Sequence, residues 1–160
     1  MSHTALWILA LIGAVGAGLT GGVMLAFSTL VMGGLRTLAP AAGIKSMQQI
    51  NLSARHPAFM LVLVGTTVVC LVSVVVAVVR LGEPGSWWLL AGSVLYLIAI
   101  VITGTFHIPR NNTLAAVDPN APDADAAWQT FLGGWVPGNH VRAIAATAAA
   151  VVLTIAARSF

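Results

Sequence analysis

The sequence predicts an all-α fold: a bundle of four transmembrane helices, with a short amphipathic helix in the first loop and a short helix in the third. Three observations predict it. Hydrophobic residues make up 59% of the 160 residues and charged residues 7%, with a mean hydropathy of +0.97. A soluble domain carries about 25% charged residues, which it needs to wet its surface. The few charges are unevenly placed. No Asp, Glu, Lys or Arg precedes Arg36, none lies between Arg55 and Arg80 or between Glu83 and Arg110, and only Arg142 interrupts the stretch from Asp125 to Arg158. Finally, Pro and Gly fall in or beside the gaps between the apolar runs. A water-soluble globule, a disordered chain, a nucleic-acid module and a disulfide scaffold are all excluded. The seven Lys and Arg form no basic run, and Cys70 is the only cysteine.

A span needs roughly 20 mostly apolar residues, which places four helices at about 5–33, 57–80, 86–108 and 138–158 of one integral membrane domain. The first reads as a span rather than a signal peptide. Its leading residues, Met1 to Thr4, carry no Lys or Arg, and its apolar run exceeds the about 7–15 residues of a signal core. Ala10, Ala14, Gly18 and Gly22 recur along it every four residues. Such a small-residue stripe lets a backbone approach closely, either within the bundle or from a second copy of the chain.

The first loop holds Pro40 and an amphipathic stretch with Ile44, Met47, Gln48 and Asn51 on one helical face. Pro57 suits the first turn of the second span, where its missing N–H is not needed. Gly82, Pro84 and Gly85 turn the chain back, so the second and third spans form a hairpin. Pro109 is expected to end the third span and Pro137-Gly138 to precede the fourth. Between them Trp128, Phe131, Leu132 and Trp135 stand at helical spacing.

Four spans put both termini on one side of the membrane and both long loops on the other. Arg36, Lys45, Arg55, Arg110 and Arg142 fall on the long-loop side and Arg80 and Arg158 on the side of the termini. That bias favours cytoplasmic long loops and outward termini, in a bacterial inner membrane. Trp7, Trp87 and Trp88 map to the termini side, as an interfacial belt would.

Antiparallel threading also gathers the polar residues at one end. Gln48, Asn51, Arg55 and His56 precede the second span. Thr103, His107, Asn111 and Asn112 close the third. Asn139, His140 and Arg142 open the fourth. A chemical site is therefore expected in a cleft among the helix ends on the long-loop side. Each member also has a plainer role open to it: His56 in the membrane interface, Asn111 and Asn112 as turn residues, Arg142 reaching for headgroups. No Asp or Glu lies inside a span, which argues against a di-iron carboxylate bundle and a carboxylate-driven proton pump. The chain has no HExxH, CxxC, phosphate loop or dinucleotide fingerprint. His56, His107 and His140 are the residues that would ligate a metal or haem iron, at a spacing that matches no strong metal motif.

Four segments carry a family resemblance. They are G-V-M-L-A-F-S-T-L-V-M-G-G-L from Gly22, M-Q-Q-I-N-L-S-A-R-H-P-A-F-M from Met47, T-G-T-F-H-I-P-R-N-N-T-L-A from Thr103 and W-V-P-G-N-H-V-R from Trp135. Their order and spacing resemble the anthrone-oxygenase-like family of small four-helix membrane proteins. Two positions depart from the family pattern: Gly33, where the family often has proline, and His107, where it often has asparagine.

The resemblance implies a monooxygenase that turns an anthrone into an anthraquinone with O2 and no known cofactor. It implies a hydrophobic small-molecule substrate and a lipid bilayer as surroundings, with no nucleic-acid partner. Asn51, Arg55, His56, Asn111, Asn112, Asn139, His140 and Arg142 match family motif positions. On this reading His140 or His107 is the base, and Arg142 with Asn112 or Asn139 holds the developing oxyanion. Gln48, Asn51, Arg55, His56, Asn111, Asn112, Asn139 and Trp135 contact substrate, under an Ile44–Asn51 lid. The rival expectations are a histidine-ligated metal or haem protein, and a lipid- or quinone-binding or accessory subunit without turnover.

Overall fold

The computed structural model describes residues 1–160 and is all-helical. Four helices are long and apolar enough to cross a membrane: α1 (His3–Arg36), α3 (Pro57–Val79), α4 (Ser86–Ala115) and α5 (Ala124–Arg158). The first loop forms α2 (Pro40–Ser53), with Pro40 in its first turn.

The helix starts follow from local chemistry. Ser2 caps α1 by accepting the Ala5 N–H at 3.2 Å. Pro57 opens α3, and the His56 ring Nδ1 accepts the Ala58 N–H at 3.3 Å. In the hairpin between α3 and α4, Arg80 pairs with Glu83 at 2.6 Å, and the Ser86 hydroxyl donates to the Arg80 carbonyl at 2.5 Å.

Two expected boundaries are moved. Pro109 does not end the third span. Helix α4 runs through it to Ala115, because residues Thr103–His107 form a π-helical turn just before it. The wider turn takes up the shift in hydrogen-bond register, and Pro109 sits in the first turn of the next α-helical stretch, where an N–H is not required. Pro137 does not precede the fourth span either; it lies inside α5. The aromatic segment expected as a separate short helix is the N-terminal third of that same helix. A second π-helical turn, Phe27–Val31, lies within α1.

Helix α5 packs against α1 and α4, and α3 packs against the same two from the opposite corner, so consecutive helices surround a square core. Small residues make this closeness possible. A Cβ on Gly21 would meet the backbone N of Thr147 at 3.0 Å, and one on Gly92 the backbone N of Leu153 at 3.0 Å. Of the four-residue stripe on α1, Ala10 and Ala14 are buried inside the bundle, whereas Gly18 and Gly22 are exposed. The core on the side of the termini joins Ala10, Ala14, Ala17, Cys70, Leu89, Tyr96, Ala149 and Leu153.

A second core fills the long-loop end. Ile44 and Met47 of α2 bury against Trp128, Phe131, Leu132 and Trp135 of α5 and against Leu114 of α4. Trp128 stacks on Phe131 at 5.7 Å between ring centroids, and Gly43 leaves room for the Trp128 ring. Gln48 fixes α2 over the end of α4. Its Nε2 donates to the carbonyls of Leu114 at 2.9 Å and Val117 at 3.0 Å, beyond the last full turn of the helix.

Candidate functional site

Between α2, the first turns of α3 and the long-loop ends of α1, α4 and α5 lies a cavity of about 580 Å³. Such a volume suits a drug-sized molecule. Its lining is mostly apolar, with Val23, Met24, Phe27, Met47, Phe59 and Leu63 among it. The polar lining comes from Gln48, Gln49, Asn51, Arg55, Thr103, Asn111, Asn112 and Arg142, and Trp135 forms part of the wall.

Arg142 and Asn139 stand less than one helical turn apart on α5. Asn139 is fully buried. Its Nδ2 donates to the Met24 carbonyl and to Ser28 Oγ, both at 2.7 Å, and its Oδ1 accepts Arg142 Nε at 2.7 Å. Ser28 sits in the π-helical turn of α1, and the Met24 carbonyl lies just before it. Arg142 Nη1 donates to Thr103 Oγ1 at 3.1 Å, and Thr103 opens the π-helical turn of α4. The two widened turns thus face α5 from both sides and orient one guanidinium, which also lies 5.3 Å from the Trp135 ring. Trp135 is held in turn, because its indole N–H donates to Asn111 Oδ1 at 2.8 Å. Arg142 Nη2 has no hydrogen-bond partner within the chain, and no carboxylate pairs with this cation; the molecule's single ion pair is Arg80–Glu83.

Asn51 lies on the α2 side of the same cavity. Its side-chain Nδ2 is buried and has no hydrogen-bond partner. Arg55 and Asn112 line the cavity while remaining exposed, so they mark its rim.

The three expected histidines do not meet here. His140 is exposed on the outer face of α5 and does not line the cavity. It leads Arg142 by two residues, about 200° of helix, so when Arg142 faces inward His140 faces out. His56 is the exposed cap of α3 and also stands outside the lining. His107 is fully buried behind the wall. Its ring lies edge-on to Trp135 at 5.1 Å and to Phe106 at 5.2 Å. Its Nδ1 is 3.3 Å from the Ile102 carbonyl and its Nε2 3.3 Å from the Trp135 carbonyl, so it ties the α4 turn to α5. No three His, Cys, Asp or Glu side chains converge anywhere to hold a metal ion. His56, His107 and His140 therefore do not form the three-histidine site contemplated from the sequence.

Of the other expected site residues, Gln48, Asn51, Arg55, Asn111, Asn112, Trp135 and Arg142 do share the cavity, and Asn139 supports it from behind. Sequence reasoning missed Ser28 as a partner of Asn139 and Thr103 as a partner of Arg142. A lone hydroxyl in an apolar span was the available signal for each, but most such hydroxyls bond back to their own helix, as Thr29 does to Leu25.

Comparison with curated proteins and with solved structures finds no match. A family model described as anthrone oxygenase matches residues 56–152, from the cap of α3 through α4 into the second half of α5. With that match over more than half its length, the chain belongs to the anthrone oxygenase family.

Proposed function

We propose that this protein is a membrane-embedded oxygenase that oxidises a flat, hydrophobic aromatic ketone of the anthrone type with O2, without needing a cofactor. The observation that carries the reading is Arg142: a guanidinium without a counter-ion, fixed by Asn139 and Thr103 at the wall of a mostly apolar cavity. An uncompensated cation in low-dielectric surroundings favours a ligand that becomes an anion.

An anthrone does so. Loss of one proton from its benzylic CH2 places negative charge on the ketone oxygen across the ring. Arg142 Nη2 is free to receive that oxygen, and the Asn111 amide stands on the same wall beside Trp135. The proton leaves to water at the rim, where Arg55 and Asn112 are exposed; no histidine in the lining takes it. The carbanion gives its electrons to O2, a C–O bond forms, and protonation yields a hydroperoxide. Loss of the second C–H proton with departure of hydroxide breaks the O–O bond and leaves a ketone. The balance is CH2 plus O2 giving C=O plus H2O. The apolar walls hold the ring and dissolve O2. On the charge bias of the loops, the cavity end faces the cytoplasm.

The test is quinone absorbance from an anthrone under air, corrected for spontaneous oxidation, with purified protein. Arg142→Met is expected to lower the catalysed rate by about 100-fold or more, the usual loss when a donor to a developing oxyanion is removed. Arg142→Lys recovers little, because an ammonium does not reproduce the fork that meets Asn139, Thr103 and substrate together. His140→Ala is expected to retain the wild-type rate and pH profile. Equal rates for wild type and Arg142→Met would remove Arg142 from the mechanism.

A further inference from the structure

The exposed members of the cavity lining mark where the cavity opens. On α4 they are Ile108, Asn112 and Ala115, which fall in one stripe along the helix. On the last turns of α2, which packs against this end of α4, they are Gln49 and Leu52, again on one face. Ala54 and Arg55 carry the edge into the joint with α3. By contrast α1 offers a single such residue, Val23, and α3 and α5 offer none. The mouth is therefore a slit between α2 and α4, about 10 Å long from Ile108 to Ala115.

The lengths of the helices explain why this corner is thin. Helix α3 has 23 residues where α1, α4 and α5 have 34, 30 and 35. It starts at Pro57, and α2 takes its place beyond that point. Gly43, Ile44 and Met47 anchor α2, and none of its residues after Met47 is buried. Its last turns therefore edge the slit rather than seal it. The slit also crosses the membrane surface. Trp88 is exposed at the other end of α4, and Ile108 stands about 20 residues on, about 30 Å of helix and the thickness of the hydrocarbon. Ile108, Leu52 and the half-buried Met60 give the membrane end of the slit an apolar edge; Gln49 and Asn112 give the other end a polar one.

We infer that the slit is a side entrance through which an apolar ligand passes from the bilayer into the cavity, between Ile108 and Leu52, without crossing water. The inference rests on the aromatic-ketone reading of the ligand and adds its route. A flat ring system gathers in hydrocarbon, and leaving it for water would expose its whole apolar surface. Ile108, Met60 and the apolar walls behind them continue the hydrocarbon into the cavity. The polar end stays open to water, so ligand and water use different ends of one mouth.

The rates at which a redox-inert quinone binds test this without any turnover. The protein is held in phosphatidylcholine liposomes, and quenching of its tryptophan fluorescence by 9,10-anthraquinone gives both the Kd and, by stopped flow, the association rate. Ile108→Phe thickens the apolar edge at an exposed position. A barrier in the path slows arrival and departure alike, so both rates are expected to fall about tenfold with the Kd nearly unchanged. Ala115→Phe at the water end and Val23→Phe on α1 are expected to keep the wild-type rates. A second measurement uses phospholipids with brominated acyl chains. With Trp7, Trp87 and Trp88 replaced by Phe, the remaining indoles, Trp128 and Trp135, are buried, and Trp135 lines the cavity. Brominated chains are expected to quench this fluorescence, and to quench it less in Ile108→Phe.

Slower binding in Ala115→Phe with Ile108→Phe unchanged moves the route to water and overturns the inference. Slowing by Val23→Phe alone does the same in favour of α1. A weaker Kd in Ile108→Phe at an unchanged association rate marks a contact rather than a passage, and also overturns it. Failure of the oxygenase reading looks different: no turnover of any anthrone, with the Ile108-dependent rates intact. If the quinone does not bind at all, the aromatic reading falls, and absence of quenching by brominated chains removes the side entrance as well.

Discussion

Asn139 shows how much a single side chain decides at the residue scale. It uses its donor twice and its acceptor once, and in doing so ties α1 to α5 and aims Arg142. Asn139→Ala removes all three bonds, taking its donor from Ser28 Oγ and its acceptor from the guanidinium Nε. The expected cost is about 2 kcal/mol or more, read as a lower unfolding midpoint in detergent. Turnover is expected to fall as well, since Arg142 loses its anchor; Asn139→Asp is expected to lower turnover too, because its carboxylate gives Arg142 a counter-ion and can no longer donate to the Met24 carbonyl. The residue types at this end were legible in the sequence, but their roles were not. Asn139, His140 and Arg142 are near neighbours in the chain, yet one is buried behind the cavity, one faces outward and one lines it. Position on the turn separates them, and that depends on which neighbours α5 meets.

Two devices operate at the scale of elements. The first is the attachment of α2. Its buried Ile44 and Met47 hold it by burial, and Gln48 fixes its position over α4 by capping Leu114 and Val117. Gln48→Leu takes one donor from each carbonyl, leaving Leu114 only its backbone N–H partners. It is expected to cost about 1–2 kcal/mol and to raise amide hydrogen exchange across Pro40–Ser53 while exchange in the spans stays unchanged.

The second device is the pair of π-helical turns, which bring Ser28 and Thr103 to α5 and let α4 pass through Pro109. Gly138 meets the second of these turns directly, for a Cβ there would collide with the Phe106 ring and crowd His107. Gly138→Val is expected to push α4 from α5 and to destabilise the fold by about 1–3 kcal/mol, the usual effect of overpacking. Pro109 read as a helix end and Pro137 as a helix start because propriety of proline in a helix depends on the turn around it. A π-helical turn has no clear sequence mark, so neither continuation was visible in advance.

At the scale of the molecule, the site sits at one rim of a bundle whose interior is otherwise sealed by small residues and Leu, Tyr and Cys side chains. The proposed orientation, with that rim toward the cytoplasm, follows from the positive-inside bias of the loop charges. Single cysteines report this cleanly, because native Cys70 is buried in the bundle. In intact cells Ser2→Cys is expected to react with a membrane-impermeant maleimide and Asp123→Cys is not; the reverse pattern would invert the orientation.

The number of spans, their antiparallel order and the gathering of polar residues at one end followed from the sequence alone. Hydrocarbon excludes charge and unpaired backbone, so 160 residues with so few charges have little other arrangement open to them. Tertiary structure alone decided which of those polar residues share a cavity. It turned Arg142 inward and His140 outward, closed His107 behind Trp135, engaged Asn139 and left the Asn51 amide unpartnered. The physical reason is angular: hydropathy reports depth in the membrane, whereas a site is made by rotation about each helix axis, which is set by contacts between helices distant in the chain.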